Sequence, residues 1–94
     1  MTETATDRVP TSPSNPASYD PMVYDVMRES ATMLSGAYIA LEERAADAAE
    51  AARWFEIDLA LGAEVRAIDS RDEALVRSKT AEFAERYRAL PPRW

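Results

Sequence analysis

The chain has 94 residues, 47% hydrophobic and 30% charged, a balance that suits one small soluble core rather than a disordered or membrane-embedded polymer. It holds no cysteine and no histidine, which excludes disulfides, thiolate nucleophiles, Cys/His zinc sites and imidazole bases; no cofactor or metal is expected. Seventeen acids against eleven bases leave a net charge of −6, a field that repels phosphate backbones and anionic lipid, so nucleic acid is disfavoured as a partner and no membrane contact is expected.

Residues 1–19, mostly Thr, Ser, Pro, Asn and Ala, bring almost nothing apolar to bury and are expected to form a disordered N-terminal tail. The start lacks the basic residues and apolar run of a secretory signal, so a cytoplasmic address is expected. From residue 20 to 94 a single helical domain is expected. Eighteen alanines, two glycines and the absence of proline between residues 22 and 90 all favour helix. Asp20 is placed to cap the first helix, Pro21 fits its first turn, and Tyr19 is positioned to staple against Tyr24.

Beyond Pro21 the apolar residues recur with helical spacing. Met27, Leu34, Leu41, Ala48 and Phe55 lie seven apart, and Tyr24, Ala31, Tyr38, Ala45, Ala52 and Leu59 fill the interleaved position of a seam. A second stripe, Val26, Met33, Ala40, Trp54, Leu61 and Ile68, lies about 100° away. Glu42, Glu43, Glu50, Glu56 and Glu64 occupy the opposite, solvated side. The twelve uncharged residues from Ser30 to Leu41 fall well short of the roughly 20 that a membrane span needs.

Ser70-Arg-Asp-Glu73 has capping-box spacing and predicts a helix from Arg71, carried by Val76, Thr80, Phe83, Tyr87 and Leu90 and stopped by Pro91-Pro92. Asp47-Ala-Ala-Glu50 repeats that spacing more weakly. Its plainer reading is an acid pair inside one continuous helix from 21 to 69; the alternative is a break near 46–47. The expected fold is therefore all-α, a two- or three-helix antiparallel bundle or hairpin.

A continuous helix over residues 21–69 would be about 70 Å long against about 30 Å for residues 71–90, leaving roughly 40 Å of apolar face in water. Faces of that kind mark interfaces. Val23, Tyr24, Met27, Leu34, Tyr38 and Leu41, with Trp54 as an aromatic anchor, are the expected partner-binding residues. The occupant would be a larger protein or, by homo-oligomerisation, another copy.

Catalytic groups are not expected. Pairs such as Glu42/Glu43 and Asp69/Asp72 arise readily among seventeen acids and read as caps and solvated faces. The run Arg66-Ala-Ile-Asp69-Ser-Arg-Asp72-Glu-Ala-Leu75 superficially resembles one in the first helix of helical chorismate mutases, but here about twenty residues remain to complete a site. Trp94, after Pro-Pro-Arg, reads as either frayed or docked on a partner.

The segments Tyr24-Asp-Val-Met-Arg-Glu-Ser30, Leu34-Ser-Gly-Ala-Tyr38, Ala52-Arg-Trp54 and Asp69-Ser-Arg-Asp72, in a short acidic helical chain, resemble the helical-bundle antitoxins that accompany zeta-type kinase toxins. That resemblance implies a non-catalytic inhibitor whose helices occlude the nucleotide site of a toxic enzyme; it carries a role rather than individual residues. Ser78-Lys-Thr-Ala-Glu82-Phe83 approaches the inhibitory helix of antitoxins that silence Fic-type transferases but lacks its final Gly or Asn. The alternative is a self-assembling or secreted hairpin similar to the WxG-type substrates, with Leu61-Gly62-Ala63 where the W-x-G turn would stand.

Overall fold

The computed structural model describes residues 19–92. Residues 1–18, which hold nearly all of the expected tail, and Trp94 lie outside the described residues. The described residues form three helices, α1 (Pro21–Glu43), α2 (Ala48–Arg66) and α3 (Glu73–Arg88), with no strand among them. No helix among them is long and apolar enough to cross a membrane.

α1 starts where the local chemistry demands. The Asp20 carboxylate accepts from the Met22 amide at 2.9 Å, satisfying an amide that has no intrahelical partner, and Pro21 takes the first position. Tyr19, read as a staple for Tyr24, reaches across to the α2–α3 connection, where its hydroxyl donates to the Ser70 carbonyl.

The helix expected to run unbroken to residue 69 stops at Glu43. Asp47 turns extended (φ −152°, ψ 174°) and its carboxylate accepts from the Glu50 amide at 2.8 Å, while the Glu50 carboxylate accepts from the Ala46 amide at 3.3 Å. The weak spacing at Asp47 and Glu50 is thus a working cap, and the three-helix form is the correct one. Folding back at this point removes from water the apolar row that a straight helix would expose, at about 1.5–3 kcal/mol per large side chain. α3 begins at Glu73, two residues after the expected start. Asp69 takes the Arg71 amide at 2.9 Å and Asp72, rather than Ser70, caps by accepting from Leu75 at 3.1 Å.

α2 and α3 both pack along α1. The Ser35 hydroxyl donates to Asp58 at 2.7 Å and Tyr38 stacks on Trp54 with ring centroids 6.0 Å apart, which fixes α1 and α2 antiparallel. Met22 and Val26 share a groove with Arg77 and Ala81, and Met33 shares the next opening with Ala84 and Arg88, so α3 rises parallel to α1. The core runs down the middle. Met27, Leu34, Val76 and Phe83 are fully enclosed, joined by Ala31, Tyr38, Leu61 and Ile68.

The turn also exchanges the two apolar stripes. In α1 the seam row of Met27, Ala31, Leu34, Tyr38 and Leu41 faces inward, and Val26 and Met33 of the second stripe face water. In α2 the second stripe is inside, with Leu61 buried and Trp54 packed on the core, and Phe55 and Leu59 of the seam are exposed. A break resets the helical phase, so a pattern extrapolated through residues 44–47 names the wrong face beyond it.

Candidate protein-binding surfaces

The seven residues expected to meet a partner are where the bundle meets itself. Met27 and Leu34 are 0% exposed, Tyr38 5% and Leu41 7%; Val23, Tyr24 and Trp54 are half-buried against the same cluster. The expectation that this row stays in water is corrected, because α2 and α3 cover it. Trp54 keeps one irregularity: its indole Nε1 is enclosed and meets no acceptor.

Other apolar side chains remain in water. Met22, Val26, Met33, Ile39, Phe55 and Leu59 are each 43–58% exposed. They fall on two surfaces. Met22, Val26 and Met33 flank α3 along a groove whose lower part, about 360 Å³, is floored by Val23, Thr80, Ala81 and Ala84 and edged by Arg77. Ile39, Phe55 and Leu59 belong to the α1–α2 hairpin, and Phe55 and Leu59 share one side of α2 by their four-residue spacing. A cleft of about 330 Å³ between the two hairpin helices is lined by Arg28, Thr32, Ser35, Asp58, Gly62 and Arg66, with Ser35 spent on Asp58.

Charge is segregated between the same regions. Residues 19–63 carry nine acids against three arginines, while residues 64–92 carry six acids and six bases. The described chain thus concentrates its excess of six negative charges on the hairpin. Among the described residues, every ion pair lies between residues 64 and 88. Its centre is a clasp across α2 and α3: Glu64 accepts from Lys79 at 2.6 Å and Arg86 at 3.0 Å, and Glu82 accepts from both at 3.3 and 3.1 Å. Both cations also stand over the enclosed Phe83 ring, at 6.0 and 5.5 Å from its centroid.

The clasp perturbs its members. Partial burial would raise the Glu64 pKa, but the hydrogen bonds from Lys79 and Arg86 outweigh it and hold the carboxyl below its ordinary value. The hydrogen bond to Glu64 raises Lys79; burial opposes the Arg86 charge, yet the Tyr38 oxygen and Glu64 raise that group too. Reading Glu64 as a solvated residue therefore missed its role. The available signal was the 79, 82, 86 spacing of opposite charges beside Phe83, which places four groups on one face of α3.

Among the described residues no three acids converge on a point that would hold a metal ion. The features that distinguish this surface are two exposed apolar rows and one unneutralised acidic hairpin. No protein-family model matches the chain, and no curated protein or solved structure matches it either.

Proposed function

We propose that this chain is a non-catalytic protein-binding domain that acts as an inhibitor of the antitoxin kind, laying its α1–α2 hairpin over the working surface of a larger enzyme. The observation that supports this reading is the coincidence, on one hairpin, of the unpaired acids with the exposed Ile39, Phe55 and Leu59. Phe55 and Leu59 supply the apolar anchor, and the surrounding carboxylates select a basic site of the sort that holds phosphate groups. Inhibition follows from occlusion: the acids of the hairpin occupy the positions of an anionic substrate. The composition fits a binding role, since the chain carries neither imidazole nor thiol.

Co-expression with the product of the adjacent gene tests the reading. The two are expected to purify together and the toxicity of that product to be relieved. The double variant Phe55→Glu/Leu59→Glu is expected to weaken the complex by about a hundredfold, typical of losing two anchors. Retention of neither the complex nor the protection by the native chain would sink the proposal.

A further inference from the structure

We infer that two copies of this chain associate in parallel through the α1–α3 groove, about a two-fold axis that runs along the helices. The two walls of the groove are unlike. The α1 wall is a ridge of large side chains, Met22, Val26 and Met33, and the three- and four-residue spacing sets the exposed Asp25 and Glu29 beside them. The α3 wall is low, built from Ala81 and Ala84, and its edge carries Arg77 and Arg88, each held through one nitrogen by an acid of its own helix, Glu73 and Glu85, with the rest of the guanidinium fork turned to no other acid among the described residues. Each wall is the counterpart of the other in bulk, and the unpaired carboxylates of one can meet the remaining guanidinium N–H groups of the other.

Symmetry then decides the arrangement. A two-fold axis parallel to the helices sets the α1 ridge of one copy on the α3 alanines of its partner, at the same height, because α1 and α3 rise together. Met22, Val26 and Met33 fill the low wall, and Asp25 and Glu29 face Arg77 and Arg88, twice over. An axis across the helices would instead set ridge on ridge and acid on acid, with arginine on arginine at the other wall. Like charges across an interface are costly, so that arrangement is disfavoured.

The size of the face sets the strength. Two helices side by side, about 20 Å wide over the roughly 24 Å of α3, offer about 500 Å² per copy, near the lower end of specific interfaces and consistent with a micromolar dimer. α2 lines neither opening of the groove, so pairing leaves Phe55 and Leu59 free. This inference and the hairpin reading therefore stand or fall separately.

Sedimentation equilibrium of the full chain, from about 1 μM to about 500 μM, is expected to follow a monomer–dimer curve. A chain that stays monomeric throughout overturns the inference. Because the protein has no native cysteine, two single variants report the geometry. Val26→Cys mixed with Ala81→Cys is expected to cross-link on oxidation, each variant alone about tenfold less; dominant self-cross-linking of Val26→Cys overturns the parallel axis. All these positions are exposed, so the variants keep the bundle. A charge exchange completes the test. Asp25→Lys/Glu29→Lys and Arg77→Glu/Arg88→Glu are each expected to pair at least about tenfold more weakly than the native chain, and to recover when mixed in equal amounts. Unchanged pairing of either variant alone counts against the proposed contacts.

Discussion

The hairpin of α1 and α2 and the helix α3 hold their places by different means. α1 contributes Met27, Ala31, Leu34, Ala37, Tyr38 and Leu41 to the buried set, and its acids stand without an ion pair among the described residues. α3 buries two large side chains, Val76 and Phe83, and fastens its flank to α2 through Glu64, Lys79 and Arg86. Apolar contact needs no counter-charge, so α1 can leave its carboxylates unneutralised. A short helix with little to bury depends more on polar fastening. The two regions therefore respond to different perturbations.

The contrast is broken most severely from the apolar side. Leu34→Ala, at a fully enclosed site in the core cluster, is expected to cost about 2–5 kcal/mol in denaturant unfolding, which in a bundle of this size removes most of the stability. A loss under 1 kcal/mol would mean that α1 is not the common core. Glu64→Gln attacks the polar side and is expected to cost about 1–2 kcal/mol, because the clasp is only partly exposed and two cations lose their shared acceptor.

The pH response separates the two contributions further. The folded pKa of Glu64 is depressed, so its contribution is whole above the ordinary value near 4.5 and is lost as pH falls through the lower folded value. Lys79 is raised, so its contribution is whole below about 10.5 and is lost as pH climbs through the higher folded value. Glu64→Gln is expected to flatten both limbs of a stability profile, and an unchanged acid limb would exclude the clasp as its cause.

Smaller effects sharpen the picture within the hairpin. Gly36 sits inside α1 with nothing within 4 Å of the position its Cβ would take, so Gly36→Ala is expected to stabilise by about 0.5–1 kcal/mol, read as a higher midpoint with an unchanged slope. Trp54→Phe keeps the stacking partner of Tyr38 and removes an indole N–H that meets no acceptor. It is expected to change stability by less than about 0.5 kcal/mol, and a larger loss would reveal a hydrogen bond at Nε1.

Much of this architecture is readable from residue order, wherever cause and effect lie close together. Asp20 and Pro21 announce α1 because a cap acts over two residues, and Val76, Phe83 and Tyr87 mark the inner side of α3 because one helical phase governs them all, with Leu90 packed on the core just past the end of the helix at Arg88. The turn at residues 44–47 is not decided locally. Alanine on both sides favours continuation, and the return of α2 is selected by the burial of Met27, Leu34 and Tyr38, a contact between distant segments. The candidate surfaces follow the same rule. Val26 and Met33 are legible as an apolar stripe, but whether that stripe or the neighbouring one faces water depends on where α3 lies. Phe55 and Leu59 are assigned inward only if the phase of α1 is carried across a turn that cancels it.

Concentrating the excess negative charge at one side and balancing it at the other gives this small molecule a permanent electric dipole. In the field of any strongly basic body it experiences a torque before it touches, and it arrives with the hairpin leading. Its rate of encounter should therefore fall steeply as electrolyte is added, while the lifetime of a formed complex, governed by close contacts, changes little.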